Sequence, residues 1–453
     1  MNTKYYLEYD GVDLSVLKEW EREVIEIFKD VTKICGDIYS LQKDSAYDGS
    51  NFYPHDITRE EIEDISRSNP LILSPFTIVK RQGADLVAVP YSKEYADYIK
   101  NIVTLIKKAS MLYSSNGFDA YTDYLVQFTK DLQSDNYEES ERKWLKLNGN
   151  INVDIRLGPL ETYLDKFLGI KRAFQSNVRV LNKNYDPNLE DFINVVNILQ
   201  PSNPIDKTRN EVDFRVRIDN IICVGGWHAE LKPVGSNYPR DEDYFKYGAK
   251  ILIYSNSLST RHIQVAQVAK EILNDEFTAS SQGVPVSVKF FAYHEIAETI
   301  IRIRNHEYNE KLLVKADLIR ELYSDLLGIK SASILVLKGV MTDEEFRNLI
   351  SVYISSGLLD NQSFSAGKDS AEVYALGFRM VFNYLIENKA IIVNNSNVNV
   401  IYEMFFPVIE ELMGILNDLM TNGTPEKAEL FYNEFSTDKY IKTFESALKK
   451  YLI

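Results

Sequence analysis

The sequence predicts an α+β fold, because segments with two different hydrophobic periods follow one another along the chain. Residues 1–150 and 261–453 carry apolar side chains mostly at helical spacing, as Val24 and Phe28 do. Residues 151–260 instead contain β-branched, alternating segments separated by Gly, Pro and Asn, which is typical of strands. A chain of 453 residues is long enough for two or three domains. We therefore expect a mostly helical N-terminal part with a short hairpin, a mixed α/β core and a helical C-terminal part, divided at these bounds.

The N-terminal part is predicted to contain several helices and one hairpin. Thr58, followed by Glu61 three residues later, is a capping signature that begins a helix. Apolar and polar residues alternate on both sides of Gly83, which predicts a hairpin within residues 73–91. The other predicted helices span residues 12–45, 93–114, 118–132 and 137–147.

The rest of the chain is predicted to pass from mixed structure back to helices. Strands are expected at residues 151–165, 211–226 and 248–256, and helices at residues 171–183 and 189–199. From Thr260 onward helical spacing returns, with breaks expected near residues 283–285, at Gly328, and near residues 363–370 and 394–397.

Composition and charge argue against several classes of function. The chain has 51 basic and 66 acidic residues, a net charge of −15 and a pI near 5.0, which disfavours nucleic acid and anionic membranes as partners. No uninterrupted apolar run reaches the roughly 18 residues of a membrane span, and the first residues lack the apolar stretch of a leader. We therefore expect a cytoplasmic protein. Cys35 and Cys223 are too few for a disulfide framework and are expected to be buried.

One short motif carries the chemistry of the sequence. His294-Glu295-Ile296-Ala297-Glu298 has the outline of the zinc-peptidase motif HExxH, with glutamate in place of the second histidine. At roughly 100° per residue, His294 and Glu298 lie about 40° apart on one helix face, where both could ligate a metal. Glu295 would then activate a bound water as general base. A carboxylate ligand leaves the choice between zinc and another divalent metal open, and the same letters also occur in ordinary acidic helices.

Several ordered segments resemble the dipeptidyl peptidase III family of zinc peptidases, most closely its shorter bacterial relatives. They are Asp48–Glu61, Ser74–Tyr95, Gly158–Phe174, Phe290–Glu298, Leu312–Ser324 and Phe378–Ile392. The resemblance implies an α+β fold of two lobes with a wide cleft between them. One lobe would be mainly helical and carry the metal, and the other would have a β-barrel-like core surrounded by helices.

The same resemblance implies a degenerate metal centre. In the family, zinc is held by both histidines of HExxH and by a glutamate of a second motif, EExxAD. Without gaps, the glutamates of EExxAD fall on Leu312 and Leu313, while Asp317 is retained. The metal ligands implied here are therefore His294, Glu298 and Asp317.

Two further positions bear on this centre. A gap in the alignment would bring Glu307 or Glu310 into the vacant ligand position. Tyr374 falls where the family has a histidine that stabilises the reacting carbonyl. The catalytic residues implied are thus Glu295 and Tyr374.

The resemblance also implies a groove for a peptide or a small molecule. Glu161 and Tyr163 match residues that line the substrate groove of the family. His228 and Glu230 lie where the family presents a strand edge to an extended peptide. These four residues are the predicted substrate-binding set.

Three functions remain open from the sequence. The first is a metal-dependent hydrolase with a rearranged site, and the second is a non-catalytic relative that binds a peptide or small molecule in the cleft. The third is an enzyme of another class that reuses the cleft with a different metal or none. Because the second ligand position is changed and the third is lost in the ungapped alignment, ordinary dipeptidyl peptidase activity is not expected.

Overall fold

The computed structural model describes the chain in several ranges that form two compact units. The described residues are 3–83, 85–147, 151–183, 193–195, 198–199, 212–273, 283–304, 312, 315–367, 372–394 and 397–451. Unit 1 consists of residues Met1–Asn182, Asp219–Pro233 and Pro239–Gly248, and unit 2 of Lys183–Ile218, Val234–Tyr238 and Ala249–Ile453. The helix predicted at residues 189–199 lies largely outside the described residues.

The helices of unit 1, apart from the last, follow the predicted spans closely. They are α1 (Glu19–Gln42), α2 (Arg59–Ser66), α3 (Tyr91–Glu94), α4 (Ala96–Ser115), α5 (Asp119–Ser134), α6 (Glu138–Leu145) and α7 (Trp227–Leu231). The capping signature is confirmed, because the Thr58 side chain accepts a hydrogen bond from the Glu61 backbone N–H at 3.1 Å. Helix α1 packs on α4, and Val24 and Phe28 on its apolar face are fully buried.

The strands of unit 1 include one that the sequence analysis assigned wrongly. They are β1 (Tyr6–Glu8), β2 (Thr77–Gln82), β3 (Asp85–Pro90), β4 (Val153–Glu161), β5 (Ala173–Leu181) and β6 (Phe214–Gly226), the last of which begins in unit 2. Strands β2 and β3 form the predicted hairpin, with Gly83 at φ +64° in its turn. Residues 171–183 were predicted to be helical, but β5 lies between β4 and β6 with antiparallel pairing on both sides. Because β5 is buried on both faces, the polar/apolar alternation that identifies a half-exposed strand is absent.

Unit 2 is mainly helical. Its helices are α8 (Ser255–Val268), α9 (Gly283–Arg304), α10 (Ala316–Leu337), α11 (Asp343–Ser365), α12 (Glu372–Glu387), α13 (Tyr402–Asn422), α14 (Pro425–Phe435) and α15 (Glu445–Leu448). Its strands are β7 (Gly235–Tyr238), β8 (Ala249–Tyr254), β9 (Ile391–Asn394) and β10 (Asn397–Val400). Strands β7 and β8 pair antiparallel, as do β9 and β10.

The core of unit 2 places α9 in the middle of the helices. Helix α9 packs against α10, α11 and α8, and also against β7 and β8. The part of α9 around Tyr293 and Ile296 is buried. The polar side chains in this part of the helix therefore need hydrogen-bonding or charged partners from neighbouring elements. The break predicted at Gly328 is wrong, since this residue lies inside α10, where a Cβ would be in ordinary van der Waals contact with Tyr293 on α9.

The cysteines and the hydropathy of the helices bear on the environment of the protein. Cys35 and Cys223 are both buried and unbridged, as expected. Within the described ranges, no helix combines the length and the apolar character needed to cross a lipid bilayer.

Candidate functional site

The predicted motif lies on α9 and is entirely buried. His294, Glu295 and Glu298 are each less than a tenth exposed, although all three are polar and two are acidic. Buried carboxylates require charged or hydrogen-bonding partners, so the arrangement of those partners defines the site. Side chains of α10 and β7, within unit 2, contact all three.

His294 is held between two carboxylates of α10. Its Nδ1 lies 2.8 Å from Oδ1 of Asp325, and its Nε2 lies 3.3 Å from Oε2 of Glu321. Burial acts to lower the pKa of His294, but the hydrogen bond and charge of Asp325, together with those of Glu321, raise the pKa well above its ordinary value. The imidazole is therefore held as a cation in this arrangement.

Glu298 is neutralised by a guanidinium. Nε of Arg320 lies 2.9 Å from Oε1 of Glu298, and Nη2 of the same side chain donates to Oε1 of Glu321 at 3.2 Å. Nη1 donates to Oδ1 of Asp317 at 2.6 Å. One buried arginine thus contacts three carboxylates, two of which stand at the positions where metal ligands are expected.

Glu295 and Glu298 share a second partner on β7. The Asn237 amide donates to Oε2 of Glu295 at 2.7 Å and also to Oε2 of Glu298. Its carbonyl oxygen accepts from Nη1 of Arg302 at 2.8 Å, which fixes the orientation of the amide. Gly235, two residues earlier, allows the strand to approach, because a Cβ there would lie 2.7 Å from Oε1 of Glu295.

The carboxylates that contact His294 lie in a different segment from the one that the ungapped alignment implies. Leu312, which the ungapped alignment placed at the first glutamate, lies in the hydrophobic core of unit 2. The carboxylates that reach His294 come eight residues later, in Arg320-Glu321-Leu322-Tyr323-Ser324-Asp325. This segment keeps the second glutamate and the aspartate of EExxAD and replaces the first glutamate by Arg320. The sequence analysis did not identify Glu321. A gapped alignment that places EExxAD on residues 320–325 would have pointed to it.

The other residues predicted for this centre are placed as follows. Asp317 lies in the first turn of α10 and accepts from Arg320, whereas the carboxylates that contact His294 are those of Glu321 and Asp325. Tyr374 lies in the first turn of α12 and is partly exposed, so its catalytic role stays a prediction. Glu307, Glu310 and Leu313 lie outside the described residues.

The predicted substrate-binding residues lie in unit 1. Glu161 at the end of β4 is buried, and its carboxylate pairs with Nη2 of Arg240 at 2.5 Å. The Tyr163 ring stacks on Trp227, with ring centroids 5.7 Å apart and an interplanar angle of 17°. Their role in ligand binding stays a prediction, and the Tyr163–Trp227 pair offers a flat aromatic surface.

The segment around His228 differs from the expected strand edge. Residues Trp227–Leu231 form the short helix α7, which follows a Gly226 at φ +65°. His228 is buried, with Nδ1 3.0 Å from the Asn177 amide. Burial and the charges of Arg240 and Arg179 lower the pKa of His228 to about 3, so the ring is neutral near pH 7.

The last predicted groove residue, Glu230, is also held within unit 1. Its carboxylate accepts from the Tyr39 hydroxyl at 2.5 Å and from the Lys43 ammonium. These contacts tie α7 to α1 and to the residue that follows it, which gives Glu230 a structural role beside any role in binding.

Comparison with solved structures shows the fold. Dipeptidyl peptidase III from Caldithrix abyssi is 20% identical, with a TM-score of 0.79, and the match covers 97% of this chain and 94% of that chain. Dipeptidyl peptidase III from Corallococcus sp. strain EGB is 18% identical, with a TM-score of 0.82 and coverage of 97% and 92%. The chain therefore has the α+β fold of dipeptidyl peptidase III, and the resemblance is confirmed at the level of fold.

Sequence comparison is more distant. Nudix hydrolase 3 from Arabidopsis thaliana is 22% identical over 432 residues, which are 86% of this chain and 54% of that protein. The chain thus spans about half the length of this curated relative. No family model matches the sequence.

Dipeptidyl peptidase III proteins depend on zinc, and the residues of this centre fit such an ion only in part. His294 and Glu321 are side chains of a kind that could supply two ligands, and Asp325 contacts the imidazole as a carboxylate commonly does beside a zinc-bound histidine. Glu298 does not serve as a third ligand in this arrangement, because its carboxylate contacts Arg320 and Asn237. Across the described ranges, no three His, Cys, Asp or Glu side chains are arranged to hold a metal ion. As arranged, the site does not fit the zinc centre of the family.

Proposed function

We propose that this protein binds a peptide or a small molecule through a dipeptidyl-peptidase-III-type fold without zinc-dependent hydrolysis. The observation that carries the proposal is the position of Arg320 between Glu298 and Glu321. A hydrolytic zinc site needs three protein ligands and an open position for water. The Arg320 guanidinium occupies the space between the carboxylates of Glu298 and Glu321, where the ion and its water would have to lie. Its positive charge also repels a divalent ion.

The engagement of Glu295 supports the same proposal. In HExxH enzymes this residue takes a proton from a water molecule whose pKa the metal has lowered. Here one carboxylate oxygen of Glu295 accepts from Asn237, and the backbone at Gly235 packs against the other. Without the metal, the water near Glu295 keeps its ordinary pKa, and the HExxH mechanism loses its nucleophile.

The class of ligand is supported by the relatives and by the charge of the chain. The solved structures with this fold are named as dipeptidyl peptidases, which act on peptides. The stacked pair Tyr163 and Trp227 is suited to an apolar or aromatic group of a ligand. A net charge of −15 disfavours nucleic acid and anionic membranes, and a cytoplasmic location is part of this proposal.

The test uses the purified protein and a panel of short peptides with free N-termini, with and without added zinc. Binding is measured by calorimetry and cleavage by mass spectrometry. We expect binding without cleavage, and we expect Glu295→Gln to bind the same peptides as the wild type. Zinc-dependent cleavage that is lost in Glu295→Gln would refute the proposal.

A second function, hydrolysis at a rearranged metal site, is favoured by one observation. His294 and Glu321 keep the ligand side chains of the family and face each other at 3.3 Å. The peptide panel separates the two functions, because this alternative requires turnover that depends on added metal and on His294.

A further inference from the structure

We infer that the Arg320 guanidinium is the fixed cation of this centre, and that it takes the place of a divalent ion beside the pair His294 and Glu321, so that Glu298 can become a third ligand only when the guanidinium is removed. This inference concerns how the buried charges are neutralised, and it is independent of what the protein binds elsewhere. It follows from three properties of the cluster: the spacing of the retained pair, the contacts of Arg320, and the burial of the carboxylates.

The spacing of the retained pair is that of metal ligands. Nε2 of His294 and Oε2 of Glu321 lie 3.3 Å apart. Two ligand atoms about 2.0–2.1 Å from one ion, at a tetrahedral angle, are separated by about 3.3 Å. The 2.8 Å contact between Asp325 and Nδ1 holds the ring so that Nε2 faces Glu321. Two ligands and one orienting carboxylate are therefore already in position.

The contacts of Arg320 show what replaces the ion. Nε of the guanidinium lies 2.9 Å from Glu298, and Nη2 donates to Glu321 at 3.2 Å. One cation therefore bridges the two carboxylates. Asp317 accepts from the third nitrogen at 2.6 Å and holds the group in its plane. Planar guanidinium donors match carboxylate oxygens and stay charged at any physiological pH.

Burial favours a cation between Glu298 and Glu321, in addition to the imidazole that contacts Glu321. Arg320, Glu298 and Glu321 are each less than a tenth exposed. Two carboxylates brought together without water repel each other unless a cation lies between them. Either the guanidinium or a metal ion can meet that requirement, and the two exclude each other because both would be positive at nearly the same point.

The experiment removes the guanidinium and supplies a metal. Thermal unfolding and equilibrium binding are measured with Zn²⁺ and with Co²⁺ for wild type, Arg320→Met and Arg320→Gln. We expect the wild type to take up no stoichiometric metal. Both variants should have a lower Tm than the wild type without metal, regain part of it on addition of Zn²⁺, and bind roughly one ion per chain. Arg320→Gln keeps a hydrogen-bond donor near the carboxylates, and it covers the case in which Arg320→Met folds poorly.

Two controls make the result specific. Adding Glu321→Gln to either variant should weaken metal binding by roughly tenfold or more and remove the rescue of Tm. Arg156→Met removes another buried arginine, paired with Glu141 in unit 1, and its lowered Tm should not respond to metal.

Three outcomes would overturn the inference. One is a wild-type protein that binds zinc stoichiometrically through His294. Another is folded Arg320 variants that take up no metal. The third is Arg320 variants that fail to fold even when produced and purified with zinc, because the metal then does not replace the guanidinium.

Discussion

Replacing Asn237 by aspartate tests whether the buried amide is what keeps two carboxylates together. N237D changes almost no volume, but it exchanges an amide that donates to Glu295 and Glu298 for a carboxyl group that faces them. Asn237 is only 1% exposed, so water cannot take over the lost hydrogen bonds. The contact with Arg302 is strengthened by the new charge and offsets part of the loss.

The expected loss of stability is about 3–5 kcal/mol near neutral pH. Each hydrogen bond to an ionised group contributes about 1.5–3 kcal/mol, and two are lost. Repulsion between like charges about 4 Å apart adds about 4 kcal/mol at an effective dielectric constant of about 20, less what Arg302 returns. The destabilisation by the new charge has an upper limit, because the introduced aspartate can take up a proton instead of remaining ionised. Protonating a carboxyl group of ordinary pKa, about 3.9, costs about 5 kcal/mol near pH 7.5.

The sign of the pH dependence is specific to this mechanism. Neighbouring negative charges raise the pKa of the introduced carboxyl group in the folded state above its value in the unfolded chain. As the pH falls through the raised value, the folded state binds the proton first, so the destabilisation relative to wild type shrinks. Near pH 5.5 the limit set by protonation is about 2 kcal/mol.

The assay is calorimetric unfolding of wild type, N237D and N237A at about pH 7.5 and pH 5.5. N237A removes the same donors without adding charge, so it should be more stable than N237D at the higher pH, and the difference should narrow at the lower pH. Equal stability of N237D and wild type would refute the proposed arrangement. A difference between N237D and N237A that does not change with pH would refute the electrostatic reasoning.

Two further predictions concern other parts of the molecule. Because the pKa of His228 lies at about 3, its ring resonances in a ¹⁵N-labelled sample should stay constant between about pH 5 and pH 8; a midpoint in that range would show that the ring reaches water. Gly357→Ala should lower the stability of unit 2 by about 1–3 kcal/mol, because the added Cβ overlaps the buried Phe378 ring, although alanine is otherwise the better helix former. Unfolding midpoints of Gly357→Ala and of the solvent-facing control Gly414→Ala measure this effect, and equal midpoints would contradict it.

The sequence by itself determined the features that depend on neighbouring residues along one element. Helix α1, the cap at Thr58 and the hairpin around Gly83 follow from periodicity and turn chemistry, and all three are present. The spacing of His294 and Glu298 likewise placed both on one helix. Local rules suffice here because the interacting residues are within a few positions of each other.

The tertiary structure decided which partners meet those residues. Glu321, Arg320 and Asn237 come from α10 and β7, and the spacing within α9 carries no information about them. Strand β5 was missed for a related reason, since burial on both faces is a property of its neighbours and removes the alternation that identifies strands. Periodicity shows that a side chain is buried, whereas packing between elements determines the charge that it meets. In this protein the charge beside Glu298 is a guanidinium.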